Sequence, residues 1–231
     1  MSATALRHHC TPAIANAIRS YRRNVEETMD RKQHWEGVYA QKQPSEVSWF
    51  QPRPECSLRL IAAAGVDKAQ PIIDMGGGAS RLVDNLLAEG YGDISVLDIS
   101  AAALRHTRER LGERAARVTW IEADATVFTP SKNYALWHDR AVFHFLTDPA
   151  DRQAYRQRLE RGLRPGGHLI IATFALDGPE RCSNLPVQRY SPETLSAELG
   201  SEYALVETLG EVHITPAQKE QRFVYCRFVK R

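Results

Sequence analysis

"PIIDMGGGASRLVDNLL", residues 71–87, runs from an apolar stretch through three consecutive glycines into a helical pattern. A strand, a Gly-rich turn and a helix start in that order form a corner of an open α/β sheet that holds a dinucleotide, a phosphate or another nucleoside-bearing group. A dinucleotide fingerprint, G-x-G-x-x-G, would use Gly76 and Gly78, but its third glycine falls on Arg81. A side chain of that size obstructs close packing of the helix on the strand, which weakens the dinucleotide reading.

Working outward, short apolar runs alternate with helical patterns, which predicts βαβ units and a mostly parallel sheet covered on both faces. Strands are expected at Pro71–Met75, Ile94–Ile99, Val118–Glu122, Ala135–His138 and His168–Phe174. Helices are expected at Ser80–Glu89 from a serine cap, and at Ala101–Leu111, Pro149–Leu163 and Pro192–Leu199 behind Ser100, Asp148 and Ser191. Ala204–Ile214 and Phe223–Lys230 then follow each other with only a polar turn around Thr215-Pro216 between them, the pattern of an antiparallel hairpin at a sheet edge. The expected class is therefore α/β, a doubly wound, seven-stranded, mostly parallel sheet with a C-terminal antiparallel hairpin and an N-terminal helical extension. Met29–Gln41 reads as a helix with Trp35 and Tyr39 on one face, and the proline-rich "PSEVSWFQPRPE" after it as a loop. These give an expected division into residues 1–54, a helical segment and aromatic loop, and residues 55–231, the α/β domain.

The strand ends carry the chemistry. Asp74 closes the first strand, where its carboxylate can hold the turn's N–H groups or, through water, a cofactor amino group. Asp98 closes the second, about 20 residues after the glycines, where a carboxylate accepts ribose hydroxyls. Asp124 and Ala125 follow the third strand in "WIEADAT", and "LRPGGHLIIATF" supplies a Pro-Gly-Gly turn before the fifth. Taken singly, each has a structural explanation: a tight turn, a capped helix, a helix stop. In this order, and with the terminal hairpin, they resemble the class I S-adenosylmethionine-dependent methyltransferases from about Trp35 to the C-terminus. The resemblance implies S-adenosylmethionine as cofactor and S-adenosylhomocysteine as product. Asp74 and Gly76, Gly77 and Gly78 would face its methionine end, Asp98 and Ile99 its ribose, Asp124 its adenine amine and the Ala125 N–H the ring.

An acceptor in such a fold meets the loops beyond the strand ends, here "WHDRAVFHFL" (137–146), the segment after the fifth strand and the end of the sixth near His213. "LWHDRAVFHFLTDPADRQAY" resembles the Trp-Asp-Arg segment of the thiopurine S-methyltransferase family, and plant halide and thiol methyltransferases share the layout of an N-terminal Trp segment and a Gly-Pro-rich loop, here "DGPERCSNLPVQRY". The resemblance implies that Trp35 and Trp49 enclose the cofactor and that Arg140 lies near cofactor or acceptor. His138 is an insertion relative to that pattern. "HWEGVY" and "VSWF" also resemble lysine methyltransferases acting on elongation factors, but their Asp-Lys-Gly-Thr is replaced by Asp139-Arg140-Ala141-Val142. The Asn-Pro-Pro-Tyr type motif of amino-group nucleic-acid methyltransferases is absent.

In-line transfer from a sulfonium depends chiefly on positioning, and a base is needed only for a largely protonated nucleophile such as a lysine, far less for a thiol. The candidate catalytic residues are His144, as acid–base group, with Arg140 and Asp139, which alternatively form an internal ion pair; His138 and His213 are further titrating candidates. Phe50, Cys182, Arg189 and His213 are candidate acceptor contacts. A small-molecule acceptor with a soft, thiol-type nucleophile is expected, with a protein lysine or a catalytically silent cofactor-binding module as alternatives.

Bulk properties agree with an enzyme of ordinary size. The 231 residues carry 30 Lys and Arg against 28 Asp and Glu, interspersed, which gives no basic face for nucleic acid. Four scattered cysteines without a Cys-x-x-Cys pair indicate neither a zinc site nor a disulfide framework. No apolar run is long enough to span a bilayer, and a cytoplasmic protein is expected. The acid-free, Arg-bearing start up to Asn24 reads as a peripheral helix with Ile14, Ile18 and Tyr21 on one side, an organelle-targeting segment being the alternative.

Overall fold

Ile72 and Ile73 are adjacent, both fully buried, and pack into two different cores. That is the period of a strand buried on both faces. Leu136 and Trp137, and Ile170 and Ile171, divide in the same way. The computed structural model describes residues 30–231; the expected helix with Ile14, Ile18 and Tyr21, and Cys10, lie outside them.

Helix α1 spans 30–41, and α2 spans Glu55–Ala64. The sheet alternation follows with β1 (Ile72–Met75), α3 (Leu82–Ala88), β2 (Ile94–Asp98), α4 (Ala101–Leu111), β3 (Val118–Glu122), β4 (Tyr134–Arg140), α5 (Pro149–Gly162) and β5 (Leu163–Phe174). After a two-residue hairpin, β6 (Arg181–Cys182) with β7 (Leu185–Pro186), come α6 (Pro192–Leu199), β8 (Tyr203–Ile214) and β9 (Glu220–Lys230). The seven-stranded sheet has the order β3-β2-β1-β4-β5-β9-β8, with β9 antiparallel to both β5 and β8. This is the class I methyltransferase fold. Leu58, Ile61, Val83 and Leu104 from α2, α3 and α4 fill one face, while Tyr155, Leu159, Leu195 and Leu199 from α5 and α6 fill the other. The strand order reverses at β1, flanked by β2 and β4, so a cleft opens beyond their carboxyl ends.

Local chemistry accounts for the departures from expectation. The Ser80 hydroxyl accepts from Leu82 N, so α3 begins at Leu82 with Arg81 as its cap. The Pro-Gly-Gly turn is a bulge inside β5: Tyr134 pairs with Leu163 and Leu136 with His168, and the intervening residues loop out with Gly166 at φ 70°. α2 has no place in the expected order because its cap is Pro54 and its start lies in a proline-rich stretch; only the Gly65 stop, at φ 63°, marks it. Among the described residues no helix is long and apolar enough to cross a membrane.

One buried polar chain fixes the end of β4. Trp137 Nε1 donates to the Tyr155 hydroxyl (2.9 Å), which donates to Asp139 Oδ2 (2.6 Å). Tyr155→Phe leaves the indole N–H and a carboxylate oxygen unpaired, and we expect a loss of about 1–3 kcal/mol in denaturant unfolding with no change of slope.

Candidate active site

The cleft is two cavities that meet at Gly76, Trp49, Tyr39 and Arg140. The glycine turn forms their common floor. Gly76 sits at φ 67°, and a Cβ there would lie 2.1 Å from Val142 Cγ2. Gly77 N donates to the Leu97 carbonyl and Gly78 N to Asp98 Oδ2 (3.0 Å), while Asp98 Oδ1 accepts from Ser100 N (2.9 Å). A Cβ on Gly78 would stand 2.4 Å from that carboxylate, so only glycine lets the turn approach it. Burial pushes the Asp98 pKa up to about 6, against the two N–H donors that favour its ionised form.

Asp98, Ile99, Asp124 and Ala125 all line the larger cavity. Asp124 Oδ1 accepts from the Thr126 N–H and hydroxyl, both at 2.7 Å, and Oδ2 accepts from Arg31 Nε (2.9 Å). Arg31, Trp35 and Tyr39 stand four residues apart on the α1 face that covers this cavity. α1 is tied down on both sides of the cleft: Arg31 also reaches Asp151 (2.7 Å), and the Glu36 carboxylate accepts from Ala101 N (2.6 Å) and Ala102 N (3.2 Å) at the start of α4. An acid at a helix N-terminus is favoured by the helix dipole and by the unpaired N–H groups there. Arg31 and Glu36 escaped the sequence reading, although Arg31 continues the Trp35–Tyr39 spacing by one turn. Trp35 packs edge-on against Trp49 and Phe145, at 5.6 and 5.1 Å between centroids, forming an aromatic wall.

Arg140 lines both cavities and is not paired with Asp139. Its Nε donates to the Tyr225 hydroxyl (2.8 Å) and Nη1 to the Trp49 carbonyl (3.0 Å), while the guanidinium lies over the Phe223 ring and 3.7 Å from Glu211. Phe50, Asp74 and Gly77 line the smaller cavity. Asp74 does not hold the turn's N–H groups: its Oδ1 meets His138 Nδ1 at 2.7 Å.

Other candidates are placed elsewhere. Asp139 is fully buried, accepts from the N–H groups of Val142 and Phe143 and from Tyr155, and lines neither cavity; it shapes the β4 end rather than meeting an acceptor. His144 is fully enclosed between Phe145 and Phe174, and burial lowers its pKa to about 3, so it stays neutral and away from the cleft. His213 Nε2 donates to the Ser48 carbonyl (2.7 Å) and anchors the loop bearing Trp49. Arg189 braces its own loop through the Gly178 carbonyl and Glu180. Cys182 does line the larger cavity, but burial pushes its thiol up to about 11, which keeps it protonated. The sequence marks these residue types correctly as titratable but carries no sign of which side of the β4 and β5 ends they face.

Residues 72–167 match the family model described as "Methyltransferase domain". Over 149 residues, 62% of this chain, it is 26% identical to the eEF1A lysine and N-terminal methyltransferase of Mus musculus, of which it spans 21%. Among solved structures, one described as "Conversion of a Disulfide Bond into a Thioacetal Group during Echinomycin Biosynthesis" superposes with a TM-score of 0.69 at 18% identity, covering 87% of this chain and 93% of that one. The glycopeptide N-methyltransferase MtfA complexed with S-adenosylhomocysteine gives 0.62 at 18% identity, covering 79% and 92%.

The donors present fit S-adenosylmethionine. A buried carboxylate lies at the β2 end where ribose hydroxyls need an acceptor, the apolar wall suits a purine, and Asp74 Oδ2, buried without a partner, suits an ammonium. With Asp98 as the expected ribose acceptor in its ionised form, and burial raising its pKa to about 6, cofactor affinity is expected to be flat above pH 7 and to fall about tenfold by pH 5. Calorimetric titration across that range checks this, and Asp98→Asn is expected to bind weakly with no such slope.

Proposed function

We propose that this chain is an S-adenosylmethionine-dependent methyltransferase whose acceptor is a small molecule with a thiol-type nucleophile. When bound, the cofactor supplies an electrophilic methyl group on a sulfonium, which a nucleophile takes in line. Asp98 would hold the ribose, the Asp124–Ala125 segment the adenine edge, and Trp35 and Trp49 would exclude water from above.

One observation carries the acceptor class: among the described residues, the histidine that lines the cleft, His138, has both ring nitrogens engaged, by Asp74 and by Ser57. His144 is sealed in the core and His213 is bound to a backbone carbonyl. A lysine ammonium, with an ordinary pKa near 10.4, leaves few neutral molecules at pH 7 without a base, whereas a thiol near 8.5 supplies a few per cent of thiolate unaided. The Arg140 guanidinium would favour that anion, and the apolar wall of Trp49 and Phe145 suits a polarisable sulfur. Enclosure supports a small acceptor too: α1 lies over one side, and buried Cys182 of the β6–β7 hairpin closes another. The sulfur chemistry in the description of the structural neighbour at TM-score 0.69 agrees in kind. The second reading, a protein lysine, is favoured by the likeness to the eEF1A lysine and N-terminal methyltransferase.

Incubation with cofactor and parallel panels of thiols and of lysine-bearing elongation factor, reading S-adenosylhomocysteine release, separates the two. With thiols the rate should follow the acceptor's own ionisation, rising roughly eightfold between pH 7 and 8 for a thiol of pKa 8.5, with the profile displaced for a more acidic thiol. A profile identical for two thiols of different pKa points to an enzyme base and contradicts the proposal.

A further inference from the structure

Three buried side chains from three elements form a line ending at the smaller cavity. Ser57 is in the first turn of α2, His138 in β4 and Asp74 in β1, and the last two are register partners across a parallel pair, so they share one face. Ser57 is fully buried, and Asp74 and His138 are each 2% exposed. Ser57 Oγ lies 2.9 Å from His138 Nε2, and His138 Nδ1 lies 2.7 Å from Asp74 Oδ1. One proton arrangement satisfies every member: the serine hydroxyl donates to Nε2, and the Nδ1–H donates to the carboxylate.

The line uses only one oxygen of Asp74. Its Oδ2 is buried without a partner and overhangs the glycine turn so closely that a Cβ on Gly77 would come within 2.2 Å. A buried unpaired carboxylate oxygen is costly and marks where a donor is missing. Two further buried atoms without a hydrogen bond belong to residues lining the same cavity, Gln51 Oε1 and Arg140 Nη2, the latter 3.7 Å from Glu211. An acceptor pair and a cationic donor match the ammonium and carboxylate of an α-amino acid.

We infer that His138 and Ser57 are positioning residues that lock the Asp74 carboxylate in the rotamer presenting Oδ2 to the amino-acid end of the cofactor. This rests on the cofactor reading above. Free Asp74 could turn its carboxylate so that both oxygens share the cost of burial; the imidazole removes that freedom, its Nδ1–H held toward the carboxylate, and Ser57 holds the plane of the imidazole from the other nitrogen. Neither residue touches the reacting atoms.

The test compares two ligands of one nucleoside. S-adenosylhomocysteine has the amino-acid end, and 5′-methylthioadenosine lacks it. By calorimetry, His138→Phe is expected to weaken S-adenosylhomocysteine by about tenfold to a hundredfold and leave 5′-methylthioadenosine unchanged. His138→Asn, which keeps a donor near the Nδ1 position, should restore S-adenosylhomocysteine binding to within about threefold of wild type, and Ser57→Ala should give a smaller loss confined to that ligand. Equal losses for both ligands, or none for either, overturn the inference, and should His138→Phe fail to fold, Ser57→Ala and His138→Asn decide it by the same comparison. Wild-type protein that binds neither ligand overturns the cofactor reading itself, a different result from loss of selectivity in the variants.

Discussion

The carboxylate of Asp98 joins the parts on which the cleft depends. Its two oxygens are held by the N–H groups of Gly78 and Ser100, so the turn after β1 and the start of α4 are fastened to the end of β2. The turn can reach it only because residue 78 has no Cβ. Burial raises its pKa to about 6 while two backbone donors oppose that rise. A group balanced in this way needs further donors to settle its charge, and vicinal hydroxyls are of the right kind.

A second constraint is the cover. α1 makes no strand and fills no sheet face, yet Arg31 and Glu36 bind acids and helix N–H groups on opposite sides of the cleft. The Trp49 loop is fastened separately, by Arg140 through the Trp49 carbonyl and by His213 through the Ser48 carbonyl. Arg140 thereby connects floor, roof and β9, and its side chain is spent on holding the cavity's shape as much as on charge. Two candidates by residue type stand outside both cavities: Asp139 shapes the turn after β4 and His144 packs against Phe174.

The sheet was legible because buried parallel strands leave continuous apolar runs and serine or aspartate caps announce helices; Val118–Glu122 and Ala101–Leu111 lie within the limits expected. α2 was not legible, since a proline cap within a proline-rich stretch imitates a loop. At strand ends sequence position fixes spatial position, and so the places of Asp98 and Asp124 in the lining of the larger cavity could be read ahead. The acceptor side depends on which way loops fold over the sheet. Nothing in "WHDRAVFHFL" distinguishes His138, which joins Asp74, from His144, which points into the core. Ser57 carries no motif and gains meaning only by standing against β4.

The most direct measurement of the central claim is a crystal structure of the protein with S-adenosylhomocysteine. The account predicts the ribose hydroxyls on Asp98, the adenine beside Asp124 and Ala125 beneath Trp35, and the ammonium on Asp74 Oδ2. A ligand bound outside the two cavities, or one whose ribose makes no contact with Asp98, would contradict it.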